Sequence, residues 1–128
     1  MNKIIASFFL CAILFSGCKK EDKNMRREGD LYIVNTTEIG KDIIGFKDAV
    51  PCVVTIKSDG SIQSVQICDN NQETPKFVER VKENLLPKME GANAETIKNI
   101  DGVTGATFTS NAVLRNADVA LKYFETNK

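Results

Sequence analysis

The sequence predicts an α+β domain: a small antiparallel sheet with helices packed on one side, spanning residues 31–128. Three observations predict it. β-Branched residues crowd the stretches 31–34 and 52–67, around an Asp59-Gly60 pair that signals a hairpin turn. Apolar residues at helical spacing come only later, as Phe77, Val78, Val81 and Leu85, and then as Val113, Ala117, Ala120, Leu121 and Phe124. Strands first and helices afterwards is an α+β order, and about 100 residues suffice for one modest core.

Taken in order, residues 31–34 form a short strand. Residues 36–49 are mixed, broken by Gly40 and Gly45. Residues 52–57 form a second strand. The chain turns at Asp59-Gly60 and returns over 62–68, with Val65 and Ile67 on one face. Residues 69–72 are a polar loop. Thr74 then serves as N-cap and Pro75 as first helical residue. Pro87 ends that helix near Leu86, because proline lacks the N–H the helix needs. Residues 88–100 are assigned to no element, with Gly91 a break and Ile97 and Ile100 core contacts. The last helix is expected to begin near Ser110.

The first 30 residues read differently. Met1-Asn2-Lys3 is a basic start, and residues 4–15 are apolar or small throughout. Twelve helical residues rise about 18 Å, too little for a bilayer core of roughly 30 Å. Residues 1–17 therefore read as an export signal. Ser16-Gly17-Cys18 resembles the lipobox of bacterial lipoproteins, which implies acylation of Cys18 and anchoring to a membrane outside the cytoplasm. The alternative is an ordinary export signal with Cys18 a bystander thiol. Nine of the twelve residues 19–30 are charged, so residues 18–30 read as a lipidated cysteine and a charged tether.

Composition excludes several functions. The whole chain has a formal charge of 0, which becomes −1 once Lys3 leaves with the signal. No basic surplus points to nucleic acid. With no histidine, a Ser-His-Asp triad, a Cys-His pair and a histidine metal site are all impossible. Two cysteines remain in the domain, Cys52 and Cys68, at opposite ends of the expected hairpin. They read either as a disulfide permitted by an oxidising compartment or as two small buried hydrophobes. Two thiols without histidine make a poor metal site.

Residues 101–110, DGVTGATFTS, precede the last helix. Gly102 and Gly105 let the backbone bend and approach a ligand. Thr104, Thr107, Thr109 and Ser110 are hydroxyl donors, and the helix start supplies free N–H groups. The residues alone suggest a site for phosphate or another anion; the alternative is a polar turn capped by threonine or serine.

Thr104-Gly105-Ala106-Thr107, with Asp101 three residues before it, resembles the flavinylation motif of the FMN-binding domain family. That family includes the C subunit of the sodium-pumping NADH:quinone reductase and the G subunit of Rnf complexes. The resemblance implies that a flavin transferase joins FMN to Thr107 by a phosphoester. It also implies that Thr104, Gly105 and Ala106 shape the turn around the phosphate, with Asp101 and Thr109 in the surrounding pattern. Glu73-Thr74-Pro75 resembles a second family element, Glu-Thr-Pro-Gly, placed near the flavin; here Lys76 replaces the glycine. Phe108, beside the attachment point, is the nearest ring to lie against the flavin, and Phe46 a more distant one. Phe108 could equally serve as core.

The resemblance implies a membrane-anchored electron carrier that exchanges electrons with redox partner proteins. Two alternatives stand beside it. One is a small flavin-dependent reductase, with Cys68, Tyr32 or Glu73 as its proton donor. The other is a non-redox envelope lipoprotein with a degenerate flavin site.

Overall fold

The computed structural model describes residues 22–69 and 71–128. The expected signal over 1–17, Cys18 and the first charged residues lie outside the described residues.

Four strands form one antiparallel sheet in the order β1-β2-β3-β4: Met25–Glu28, Leu31–Asn35, Cys52–Lys57 and Ile62–Ile67. The helices are α1 (Pro75–Asn84), a short α2 (Leu86–Met89) and α3 (Thr107–Asn127), with a 3-10 turn at Thr96–Asn99. The α+β architecture is the expected one.

Strand β1 departs from the tether reading. Glu28 pairs with Leu31, so Gly29-Asp30 is a two-residue hairpin loop, and Gly29 adopts φ +62°. Such loops favour glycine because positive φ matches the twist of the flanking strands. The charges that suggested a solvated tether lie on an outer strand: Arg26 pairs with Glu28 at 2.7 Å, and Arg27 sits over the Tyr32 ring. Charge on a sheet edge blocks pairing with other chains. Just before β1, the Asp22 carboxylate accepts from the Tyr123 hydroxyl at 2.8 Å, tying this edge to the end of α3.

The hairpin β3–β4 turns at Asp59-Gly60 as expected, with the Gly60 N–H donating to the Lys57 carbonyl. Thr55 faces Ser64 and Ile56 faces Ile62, so Gln63 is an extra residue in β4. This bulge brings both Ile62 and Val65 to the core despite their odd spacing. Cys52 faces Ile67 rather than Cys68, and both cysteines are free thiols. The register explains the absent bridge: successive residues of a strand point to opposite faces, so Cys68 does not share the face of Cys52 and Ile67. Burial pushes both thiols up in pKa; the neighbouring Cys68 adds to the effect on Cys52, and Asp69 adds to that on Cys68 against a hydrogen bond from Thr37.

The core lies between one sheet face and the helices. Val34, Val54, Ile56 and Ile62 meet Val81, Leu85 and Met89, and the stripe from Val113 to Phe124 is buried as its spacing requires. Helix α3 also carries a buried Asn116, whose Nδ2 donates to the Val50 and Ala112 carbonyls. Its Oδ1 occupies the place a Cβ on Gly40 would need, so position 40 must be glycine. This polar pin holds the 36–50 segment against the middle of α3.

Candidate functional site

The site is built around two features at the start of α3, and the first is Glu73. Its side chain is 4% exposed, and both oxygens are used. Oε2 accepts from the Phe46 N–H at 2.7 Å and the Thr109 hydroxyl at 2.5 Å. Oε1 accepts from the N–H groups of Lys47 at 2.7 Å and Asp48 at 3.1 Å. Burial alone would raise the carboxyl's pKa, but the Thr109 hydroxyl and three backbone N–H groups outweigh it and hold Glu73 below the usual glutamate range. The carboxylate thus clamps the 46–48 loop to the first turn of α3. Gly45 must come close, since a Cβ there would collide with Oε2. Asp48 extends the network by accepting from the Gln72 N–H at 2.8 Å.

The second feature is the turn 101–106 with the helix end behind it. Val103 N–H donates to the Ser110 hydroxyl at 2.9 Å, and Ala106 N–H to the Val103 carbonyl at 3.0 Å. Gly105 adopts φ +87°, which a residue with a side chain rarely tolerates. Helix α3 begins at Thr107, three residues before the expected start, with Ala106 as its N-cap. Alanine has no oxygen to accept from the first N–H groups, so a helix usually avoids it there. Among the described residues, the N–H groups of Thr107, Phe108 and Thr109 donate to no protein acceptor. They leave open donors at the positive end of a 21-residue helix, an arrangement that suits an anion.

The hydroxyls divide into two pairs. Thr109 and Ser110 are fully buried and committed, one to Glu73 and one to Val103. Thr104 and Thr107 are exposed and make no side-chain hydrogen bond among the described residues. Thr107 also borders a pocket of about 230 Å³, which it lines with Phe46, Phe77, Gly105, Ala106 and Phe108. The pocket is aromatic and open. Phe46 meets Phe77 edge-on at 5.1 Å and Phe108 at 6.1 Å, yet Phe46 is 57% and Phe108 63% exposed. Large rings rarely stand so far out of a core without something to cover them. Phe108 also borders a larger cavity of about 590 Å³ on its other side, with Ile44, Ile100 and Leu114.

The predicted residues therefore separate. The structure brings Thr107, Gly105, Ala106 and Phe108 together at one pocket, with exposed Thr104 in the adjoining turn. Asp101 is exposed at the start of that turn. Glu73 and Thr109, expected as ligand contacts, bond to each other and are not among the residues lining this pocket. Thr74 caps α1, its carbonyl accepting from Phe77 and Val78, and does not line the pocket. Phe46, expected as the more distant ring, is in the pocket. Phe77, read from its spacing as core, is there too; a helical stripe says which residues face inward, but not which of them meet a gap in the cover. Arg80 was also missed. Its guanidinium lies against Gly105, one turn along α1 from Phe77.

The alternative proton donors are elsewhere. Tyr32 packs edge-on against Phe124, Cys68 lies past the end of β4, and Glu73 has both oxygens occupied. No group of three or more metal-ligating side chains occurs among the described residues, and no helix among them is long and apolar enough to cross a membrane.

Comparison with known proteins agrees with this geometry. The family model of the FMN-binding domain matches residues 45–122, more than half of the chain, from the glycine beside Glu73 to the last turns of α3. No curated protein and no solved structure matches the chain. The chain belongs to the FMN-binding domain family.

Proposed function

We propose that this FMN-binding domain protein is an electron carrier of the cell envelope that holds FMN covalently, through a phosphoester to Thr107. The observation that carries the reading is the exposed, unbonded Thr107 hydroxyl, set between three unpartnered N–H groups and an aromatic pocket. A phosphate here meets backbone donors and a helix N-terminus, and Phe46, Phe77 and Phe108 offer an apolar surface for a flat ring. The residues present fit the cofactor.

When bound, FMN supplies the electron chemistry, and the protein supplies attachment, orientation and electrostatics. Thr107 provides the one exposed hydroxyl that both lines the pocket and stands at the helix end. Glu73 fixes the loop carrying Phe46 relative to that helix end. Gly105 brings the backbone close. Among the described residues that line the pocket, none is an acid, a thiol or a phenol, which favours a carrier over a reductase that must protonate a substrate.

The export signal and Cys18 complete the proposal. Residues 1–17 direct the chain out of the cytoplasm, and acylated Cys18 anchors it to a membrane. A flavin transferase matures it, and redox partner proteins exchange electrons with it. Covalent attachment suits that location, since a reversible cofactor is kept only where free ligand exceeds its dissociation constant.

The test is an intact mass of the protein produced with a flavin transferase in the export compartment, beside Thr107→Val. Wild type should gain the mass of one FMN less one water, and the valine variant nothing, because a phosphoester needs a hydroxyl. An unmodified, colourless wild type would overturn the reading and favour a non-redox lipoprotein.

A further inference from the structure

Arg80 stands beside the attachment turn without an assigned role. It is exposed on α1, and among the described residues it forms no ion pair. A Cβ placed on Gly105 would lie 3.6 Å from its Nη1, 3.7 Å from Cζ and 3.8 Å from Nε. Near-equal distances to three atoms of a planar group place that point over the face of the plane. The guanidinium therefore presents its flat face to Gly105, and its N–H groups radiate edgewise past the turn. The turn needs glycine at 105 for its φ of +87°; a Cβ there would meet the guanidinium only at ordinary van der Waals distance.

A face-on guanidinium spends none of its five N–H donors on the turn. Those edges suit a tetrahedral anion, for which arginine offers two parallel donors. Two residues beyond Gly105 is Thr107, where the unpartnered N–H groups of α3 begin. Open backbone donors at the helix end and an unpaired guanidinium against the same turn are the two kinds of donor a phosphate cradle uses.

We propose that Arg80 is the phosphate-binding side chain of this site, holding the phosphate that becomes joined to Thr107. The proposal rests on the Thr107 reading. In the attachment step, Thr107 Oγ1 forms a bond to the FMN phosphorus as the phosphate-anhydride bond of an activated flavin breaks. The threonine proton passes to the transferase or to water, and the leaving group departs as a phosphate monoester. Nothing is oxidised or reduced. Arg80 offsets the charge gathering on the phosphate oxygens during that exchange, and later pairs with the single negative charge of the finished diester. It is a positioning residue for the phosphate, not a proton carrier.

The experiment is a time course of attachment. Full-length protein made without transferase is incubated with a flavin transferase and flavin adenine dinucleotide, and the mass gain is followed in wild type, Arg80→Gln, Arg80→Lys and Thr107→Val. The initial rate should fall roughly tenfold or more in Arg80→Gln and recover in part in Arg80→Lys. Raising the salt concentration should slow wild type more steeply than Arg80→Gln, a response that a purely structural role would not produce. Because Arg80 is exposed and unpaired, the melting temperature of Arg80→Gln should match wild type. Equal rates and equal salt dependence in wild type and Arg80→Gln would overturn the role of Arg80 while leaving Thr107 as acceptor. Failure of wild type to gain flavin, with Thr107→Val identical to it, would overturn both.

Discussion

The first turn of α3 has two sides that obey opposite rules. Beneath it, around Glu73, every polar group is matched: one buried carboxylate takes three backbone N–H groups and a threonine hydroxyl. Above it, around Thr107, little is matched: three N–H groups, a hydroxyl and a guanidinium have no protein partner among the described residues. The two sides are a few residues apart in one helix, so the contrast is not one of core against loop. Internal hydrogen bonds hold the Phe46 loop and the helix end in place, while the first N–H donors of α3 stay open. Ala106 embodies the difference. It withholds the cap that serine or threonine would supply, at a cost of about 1 kcal/mol, and keeps the helix end free.

The sharpest way to break this comparison is Glu73→Gln. An amide cannot accept from all four donors, and its NH₂ must face at least one of them. Stability should fall by about 2–4 kcal/mol in urea unfolding, because buried donors are left unsatisfied. A loss under about 1 kcal/mol would show that the closed side is not closed. A smaller effect is expected from acid. The Glu73 pKa is depressed by folding, so its contribution is complete above the unfolded-state pKa and is lost as pH falls through the folded one. Wild type should lose stability from about pH 5 downward, and Glu73→Gln less steeply. Parallel profiles would assign the acid sensitivity elsewhere, with Asp48 and Asp59, whose carboxyls backbone and side-chain hydrogen bonds hold low, next in line. The smallest effect on stability belongs to the open side. Phe108→Ala should change it by no more than about 0.5 kcal/mol, because the ring is mostly exposed. The same variant should shift the absorption and raise the fluorescence of attached flavin, since an aromatic neighbour is gone. A large loss of stability instead would make Phe108 a core residue.

Much of this was legible because it depended on local chemistry. The Asp59-Gly60 turn, the Thr74-Pro75 helix start and the α3 stripe each follow from a few adjacent residues. Other features depended on partners far along the chain. Strand β1 was hidden because Arg26, Arg27 and Glu28 look like solvent-facing charge until Leu31–Asn35 pairs beside them. The start of α3 was placed three residues late because Ser110 has the hydroxyl expected of a cap, whereas Ala106 does not. The bond between Glu73 and Thr109 was hidden because it joins residues 36 positions apart, which no local motif pairs.

By itself, then, the sequence determined the α+β class, the hairpin, the two main helices and the identity of Thr107 within its motif. All of these are set by periodicity, by turn chemistry or by the kind of residue at one position. Only the tertiary structure decided which hydroxyls are free, which carboxylate is a clamp, and which rings stand beside Thr107. Phe46, Phe77 and Phe108 come from a loop, from α1 and from α3, and Arg80 reaches Gly105 across a gap of 25 positions. No local pattern encodes such a meeting, because it is settled by how the helices lie on the sheet.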